Sequence, residues 1–263
     1  AGGWFDAEDL YGTLNTYRQL TRTMRADSLF LIMGPWRHGG WNSEKNNSLG
    51  DITFSKDNLN EVFRTAENAF FDHYLSDRKL PDSMPRAKVF FTGENRWADL
   101  SRWPLGDTTP HTLYLTGGGL LSSRLPDDNA TPSTYTSNPA CPVPYNANAW
   151  HKRKAEYMVA DQRFASYRPD VLTYSTPVLD KALTVAGPVK VKLWAATTST
   201  DADFIVKLID VQPDSSRLAG YQMLVRFDVL RARFRNSMEK PYPLVPGKAE
   251  EMTLDLNDIA HTF

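Results

Sequence analysis

Two residues in the first forty can do acid–base chemistry, and each follows a glycine-containing turn. Asp6 closes the stretch Gly2-Gly3-Trp4-Phe5-Asp6, and His38 lies in GPWRHGGWN, residues 34–42, directly after the apolar run Ser28-Leu29-Phe30-Leu31-Ile32-Met33. An imidazole titrates near neutrality, so it can take a proton and return it at physiological pH. A carboxylate beside it would hold the ring in one tautomer and stabilise its cationic form.

In a parallel α/β sheet, ligands and catalytic groups gather at the carboxyl ends of the strands. An Asp and a His on neighbouring strand ends are therefore placed as orienting carboxylate and general base. Their chain order, Asp then His after an upstream serine, is that of α/β-hydrolases. Plainer roles exist for both. Asp6 can be a helix N-cap that satisfies orphan backbone N–H groups, with Glu8 and Asp9 favoured at the positive helix end. His38 can be an ordinary turn residue. A metal centre is not indicated, because His73, His111, His151 and His261 are scattered without ligand spacing and only one cysteine, Cys141, is present.

The elements that must position this pair are read from hydrophobic period. Leu10, Leu14, Tyr17 and Leu20 recur at three- and four-residue steps, as do Leu59, Phe63, Ala66, Phe70 and Tyr74, so each set makes one buried helical face. The first helix is expected to start at the acidic trio Asp6, Glu8 and Asp9, and Gly34-Pro35 ends the one strong strand, 28–33. From about Pro85 the texture changes to short β-rich runs at 87–92, 112–116, 171–174, 188–195, 203–211, 221–235 and 249–256. Val189, Val191, Leu193 and Ala195 alternate with Lys190, Lys192 and Trp194, and Leu230, Ala232 and Phe234 with Arg231, Arg233 and Arg235. A two-sheet sandwich or jelly roll fits this half best, and 122–150 reads as a long surface loop.

Length and composition, with 41% apolar residues in 263, allow one or two ordinary cores. Thirty basic against thirty-one acidic side chains give a formal charge of −1, so no bulk field favours nucleic acid or acidic lipid. No apolar run approaches the ~18 residues of a membrane span. The single cysteine excludes an internal disulfide and leaves the compartment open among cytoplasm, periplasm and medium.

GGWFDAEDLYG at 2–12 and LIMGPWRHGGWN at 31–42 resemble the aspartate and histidine motifs of the cocaine esterase, glutaryl-7-aminocephalosporanic acid acylase and α-amino acid ester hydrolase family, the CocE/NonD hydrolases. The resemblance continues through VFFTGENRW at 89–97, RPDVLTYSTPVL at 168–179, VAGPVKVKLWAATTSTDADFIVKLIDV at 185–211 and LRARFRNSMEKPYPLVPG at 230–247. These later stretches are similar to the carboxyl-terminal jelly roll of Xaa-Pro dipeptidyl-peptidases. The resemblance implies the carboxyl-terminal portion of an α/β-hydrolase catalytic domain over 1–84, followed by an all-β jelly-roll sandwich over 85–263. It implies a serine hydrolase with Asp6 and His38 as triad members, acting on a small ester, amide or dipeptide without a cofactor. Relatives of this kind often assemble into homo-oligomers.

The sequence departs from the family in one respect that matters chemically. No G-x-S-x-G or G-x-S-x-x-G occurs, so the nucleophile elbow is absent. The oxyanion tyrosine, the helical cap and the carboxylates that hold a substrate ammonium are absent as well. One good strand cannot cover two amphipathic helices, and the strand delivering Asp6 is expected to lie before Ala1. The closing strands of the jelly roll are expected to follow NDIAHTF. The chain is thus expected to be a fragment of a longer enzyme, inactive alone.

In the β half, Asp201, Asp203 and Asp210 are candidate calcium ligands, set against pairing with the arginine row at 231, 233 and 235. Trp97, Trp103, Trp150 and Trp194 suggest either a carbohydrate platform or core positions, and strand spacing favours the core. Two functions therefore stand side by side. One is a portion of a serine acyl hydrolase; the other is a non-catalytic β-sandwich binding module for carbohydrate or protein with a degenerate hydrolase remnant.

Overall fold

A computed structural model of the chain describes residues 1–24, 28–43, 45–127, 130–148 and 151–263. The first part contains strand β1 (Gly2–Gly3), helix α1 (Gly12–Thr23), strand β2 (Leu31–Gly34), the short pair β3 (Ser48–Leu49) and β4 (Ile52–Thr53), and helix α2 (Asn60–Ser76). Then come β5 (Ala87–Phe91), β6 (Arg96–Leu100), β7 (Tyr114–Thr116), β8 (Leu120–Ser122) and the one-turn helix α3 (Arg163–Ser166). Four longer strands follow: β9 (Thr184–Ala195), β10 (Asp203–Val211), β11 (Gln222–Arg231) and β12 (Glu250–Thr262).

The sheet that matters for chemistry has the order β1-β2-β5-β6. Strand β1 runs parallel to β2 with Gly2 opposite Met33 and Gly3 opposite Gly34, and β2 runs parallel to β5 with Leu31 opposite Ala87. Strand β6 closes the edge antiparallel to β5. Gly2–Gly3 form the end of the strand that leads to Asp6. The helices do not rest on one strand, because β5 and β6 extend the sheet from beyond residue 84.

Helix α1 buries Leu14 and Tyr17 and α2 buries Phe63 beside buried Leu59, on the faces that the three- and four-residue steps predict, but Tyr74, expected on the α2 face, is exposed because it lies in the last turn of the helix. The start of α1 is corrected. It begins at Gly12 and not at the acidic trio, because the chain first makes a turn in which Asp6 and Asp9 use their carboxylates on backbone N–H groups. Toward its end α2 leaves Phe71, Tyr74 and Leu75 exposed.

Strands β9 and β12 form a long antiparallel ladder, and β10 and β11 form another. Alternation along β12 buries Met252, Leu254 and Leu256 and exposes Glu251, Thr253 and Asp255. A bulge between Asp255 and Asp258, with Asn257 left-handed at φ 63°, breaks that pattern. Beyond it Asp258, Ile259, Ala260, His261 and Thr262 are all buried, because Thr92 at the end of β5 pairs with this stretch: Thr92 N–H donates to Ala260 O at 3.0 Å and Thr262 N–H to Thr92 O at 2.9 Å. The main core accordingly spans both parts of the chain, with Phe5, Met33, Phe54 and Phe90 packed in one cluster with Met158, Met223 and Ala260. Each of these Phe and Met side chains contributes roughly 1.5–3 kcal/mol by leaving water. A smaller cluster of Ala232, Leu244 and Met252, covered by Leu193, Phe204 and Leu230, joins the two long ladders face to face.

Several strand expectations shift. The run 203–211 forms β10 with the expected bounds, but 221–235 splits: β11 stops at Arg231 and Ala232–Phe234 is a 3₁₀ turn. Residues 171–174 hold no strand. Strands β6 and β8 were not anticipated, being short and flanked by charged or glycine residues. Described residues from 123 to 148 carry no helix or strand, and Trp150 lies outside the described residues. Trp103 is buried and Trp97 packs its ring on Trp36 and Phe90, whereas Trp194 is 71% exposed. The last is a correction: Trp194 alternates outward on β9 opposite Glu251, away from the core.

Candidate active site

The carboxyl ends of β1 and β2 lie side by side, and the loops that leave them interlock through the backbone. Trp4 N–H donates to Gly34 O at 2.8 Å and Phe5 N–H to Trp36 O at 3.1 Å. This close approach is what the glycine before Trp4 permits. A Cβ on Gly3 would stand 2.2 Å from the Trp36 carbonyl oxygen. After His38 the chain turns through Gly39 at φ 64°, a left-handed conformation that glycine adopts without penalty.

The result is an Asp–His pair. His38 Nδ1 lies 3.0 Å from Asp6 Oδ2 and 3.1 Å from Oδ1. Asp6 Oδ1 also accepts the backbone N–H groups of Glu8 at 2.8 Å and Asp9 at 2.9 Å. The side chains differ in exposure: Asp6 is 4% exposed and His38 52%. A charged acceptor with three donors is satisfied although it is buried, so Asp6 can orient the ring without solvent competing for its oxygens. The hydrogen bond that the ring makes to Asp6 raises the His38 pKa above its ordinary value and the Asp6 charge adds to this; desolvation opposes them, and the charges of Glu8 and Asp9 raise it further by less.

His38 Nε2 is 3.7 Å from Glu8 Oε2, too long for a hydrogen bond. Glu8 is held by Arg153 Nη2 at 2.8 Å, and Arg153 Nη1 donates to Ala7 O. Asp9 has a purely local task, accepting the N–H of Gly12 at 2.6 Å where α1 begins. Of the acidic trio, then, Asp6 faces the histidine through Nδ1, Glu8 stands near Nε2, and Asp9 caps the helix start. Arg153 was not singled out in the sequence; no local signal could have done so, since it lies 145 residues from its partner.

The second titratable constellation is internal. His261 is 1% exposed on its side chain, with Nδ1 2.7 Å from Thr92 Oγ1 and Nε2 3.3 Å from Asp210 Oδ2. It ties β12 to the end of β5. The carboxylates considered for calcium are engaged elsewhere: Arg233 pairs with Asp201 at 2.7 Å, Arg231 with Asp203 at 3.6 Å, and Asp210 with His261. Arg235 takes Glu250 at 2.7 Å. Among the described residues no group of three or more His, Cys, Asp or Glu is arranged to hold a metal ion.

Comparison with known proteins places this geometry in context. Residues 80–263 match the X-Pro dipeptidyl-peptidase C-terminal non-catalytic domain. The chain is 31% identical over 246 residues to the cocaine esterase of a Rhodococcus species, covering 89% of this chain and 41% of that protein. Among solved structures, an aminopeptidase from a marine-sediment Thaumarchaeota archaeon superposes with a TM-score of 0.93 at 34% identity, over 100% of this chain and 44% of that one. An α-amino acid ester hydrolase superposes with a TM-score of 0.91 at 35% identity, over 99% and 45%. The chain thus spans less than half the length of each of these relatives.

Its fold is mostly β with few helices, as suits a β-sandwich domain of serine hydrolases. The chain belongs to the CocE/NonD hydrolase family and carries that family's Xaa-Pro dipeptidyl-peptidase C-terminal domain.

Proposed function

We propose that this chain is the carboxyl-side portion of a serine acyl hydrolase. In this reading residues 1–84, with β5 and β6 extending their sheet, complete the α/β-hydrolase catalytic domain, the rest of 85–263 forms the jelly-roll sandwich beside it, and the nucleophilic serine lies outside these 263 residues. The observation that carries the reading is the approach of His38 Nδ1 to both Asp6 oxygens, with Nε2 left for a nucleophile.

Asp6 keeps the proton on Nδ1, so Nε2 presents its lone pair. Nε2 takes the serine proton as the hydroxyl attacks an ester or amide carbonyl, and the resulting imidazolium is stabilised by Asp6. The same proton goes to the leaving alcohol or amine, and an acyl-enzyme forms. Water then enters and gives a proton to Nε2 as its oxygen attacks the acyl carbon; Nε2 returns that proton to the serine oxygen as the acyl–oxygen bond breaks and the acid leaves. A base of this kind supplies ~10²–10⁴-fold; an oxyanion donor, arriving with the serine, adds about 10²–10³-fold.

The substrate class is a small ester, amide or dipeptide. Support comes from the names of the relatives, a cocaine esterase, an α-amino acid ester hydrolase and an aminopeptidase. A serine-directed fluorophosphonate tests the reading: the 263-residue chain stays unlabelled and the longer protein that contains it is labelled. Robust labelling of the 263-residue chain overturns the placement of the serine.

A rival reading makes the chain a non-catalytic β-sandwich module that binds carbohydrate or protein. It draws on the exposed ring of Trp194, and it leaves the Asp6–His38 arrangement without a purpose.

A further inference from the structure

Residues 80–263 belong to a domain described as non-catalytic, yet one of its side chains sits on the loop that carries Asp6. Arg226, in the middle of β11, is 2% exposed. Its Nη1 donates to the Trp4 carbonyl at 2.8 Å and its Nη2 to the Asp258 carbonyl at 2.9 Å. The guanidinium carbon stands 5.8 Å from the centre of the Trp4 ring, and Nε is buried without a hydrogen-bond partner. Burial lowers the Arg226 pKa to about 10, with the Asp258 charge opposing.

A guanidinium in such a place is costly to desolvate, and an apolar residue of similar volume would often hold the fold as well. What an apolar residue could not do is hold the Trp4 carbonyl. The other polar groups of Trp4 are already fixed: its N–H goes to Gly34 O and its indole N–H to Phe90 O at 2.8 Å. The carbonyl belongs to the peptide unit shared with Phe5, whose own N–H bonds to Trp36 O. Rotation of that unit would break the Phe5 bond and displace Asp6, one residue further on.

We propose that Arg226 is a positioning residue for the Asp6–His38 pair: by gripping the Trp4 carbonyl from the β-sandwich side, it keeps the Asp6 carboxylate facing His38 Nδ1. The inference rests on the reading of Asp6 and His38 as acid and base of a triad. The β domain is then part of the catalytic apparatus.

The test uses the longer protein that contains this chain, labelled with ¹³C at histidine Cε1, and follows the His38 titration together with hydrolysis of p-nitrophenyl acetate against pH. The variants are Arg226→Met, Arg226→Lys, Asp6→Asn and, as a control, Arg18→Gln. The control breaks the ion pair of Arg18 with Asp258 in the same buried cluster without touching Trp4. Arg226→Met and Arg226→Lys are expected to lower the His38 pKa and to cut kcat about 10–100-fold with KM little changed; Arg18→Gln is expected to leave the His38 titration where it was. If Arg226→Met does not fold, Arg226→Lys decides, since it keeps the charge and loses the two-pronged grip. A wild-type His38 titration in the Arg226 variants, beside a lowered one in Asp6→Asn, overturns the proposal alone. An unchanged titration in Asp6→Asn overturns the reading of the pair, and the proposal with it.

Discussion

Asp6 faces His38 Nδ1 with both carboxylate oxygens, at 3.0 and 3.1 Å, while one of those oxygens also accepts the N–H groups of Glu8 and Asp9. The carboxylate that faces the ring therefore also holds the turn ahead of α1; it is not the N-cap of that helix, which begins at Gly12. The backbone bonds hold the carboxylate still, and a held carboxylate is what fixes an imidazole tautomer.

Replacing Asp6 by Asn removes the main cause of the raised His38 pKa. The His38 titration, followed by NMR of labelled histidine, is expected to move down toward the ordinary 6.5. In the enzyme with its serine, turnover is expected to fall about 10³–10⁴-fold, since the amide favours the wrong tautomer. A wild-type titration in Asp6→Asn would show that the carboxylate does not govern the ring.

His38→Ala is expected to abolish acyl turnover while leaving the fold almost untouched. The ring is half exposed, so its removal costs on the order of 0.5 kcal/mol or less, apart from the loss of its bond to Asp6. Circular dichroism and thermal unfolding read the fold, and single-turnover acylation reads the chemistry. Retained turnover would return His38 to the role of a turn residue.

The sign of the pH dependence follows from the raised His38 pKa. Favourable interaction of the charged ring with Asp6 stabilises the folded state fully below the unfolded-state value near 6.5. It is lost as pH rises through the higher folded-state value. Activity runs the opposite way, because the base works only when neutral: kcat/KM is expected to rise with pH through that same folded-state value. Glu8→Gln, which removes one smaller cause of the shift, should move the limb to lower pH. A limb below 6.5 in the wild type contradicts this account.

Gly3→Ala tests the interlocked loops. The added methyl would stand 2.2 Å from the Trp36 carbonyl oxygen, against backbone that cannot swing aside as a flexible side chain can. We expect a loss of roughly 1–3 kcal/mol in urea unfolding, accompanied by a lowered His38 pKa as the two loops part. Undiminished stability would mean that the strand ends can separate at little cost.

The arginine row gives a simpler expectation. Asp201→Ala removes a half-buried carboxylate that pairs with the Arg233 guanidinium and accepts the Arg233 backbone N–H, so stability should fall by roughly 1 kcal/mol. Calcium chloride at millimolar concentration should leave the melting temperature of wild type and variant the same. A calcium-dependent rise that Asp201→Ala abolishes would restore the metal reading.

Much of this architecture was legible in the sequence. The periods of Leu14 and Tyr17, and of Leu59 and Phe63, define buried helix faces, and the alternation from Val189 to Ala195 defines a strand, because these patterns depend only on local geometry and on which side chains avoid water. The glycine-flanked Asp6 and His38 were recognisable for the same local reason: each stretch can make only a few kinds of turn. The sequence could not place the end of β11, where the alternating arginines continue into a 3₁₀ turn drawn by Asp201 and Glu250. Nor could it show that β5 and β6 join β2 in one sheet across residue 84, since strand pairing is decided by tertiary packing and not by propensity.

What the sequence determined by itself was the chemistry that each motif can perform and the face that each element buries. Only the tertiary structure decided which motifs meet. Asp6 and His38 are 32 residues apart, and Arg226 is 222 residues from the Trp4 carbonyl it holds. No local preference encodes contacts of that range. They arise because a parallel pairing aligns two strand ends, and because a shared core presses β11 and β12 against the same loop.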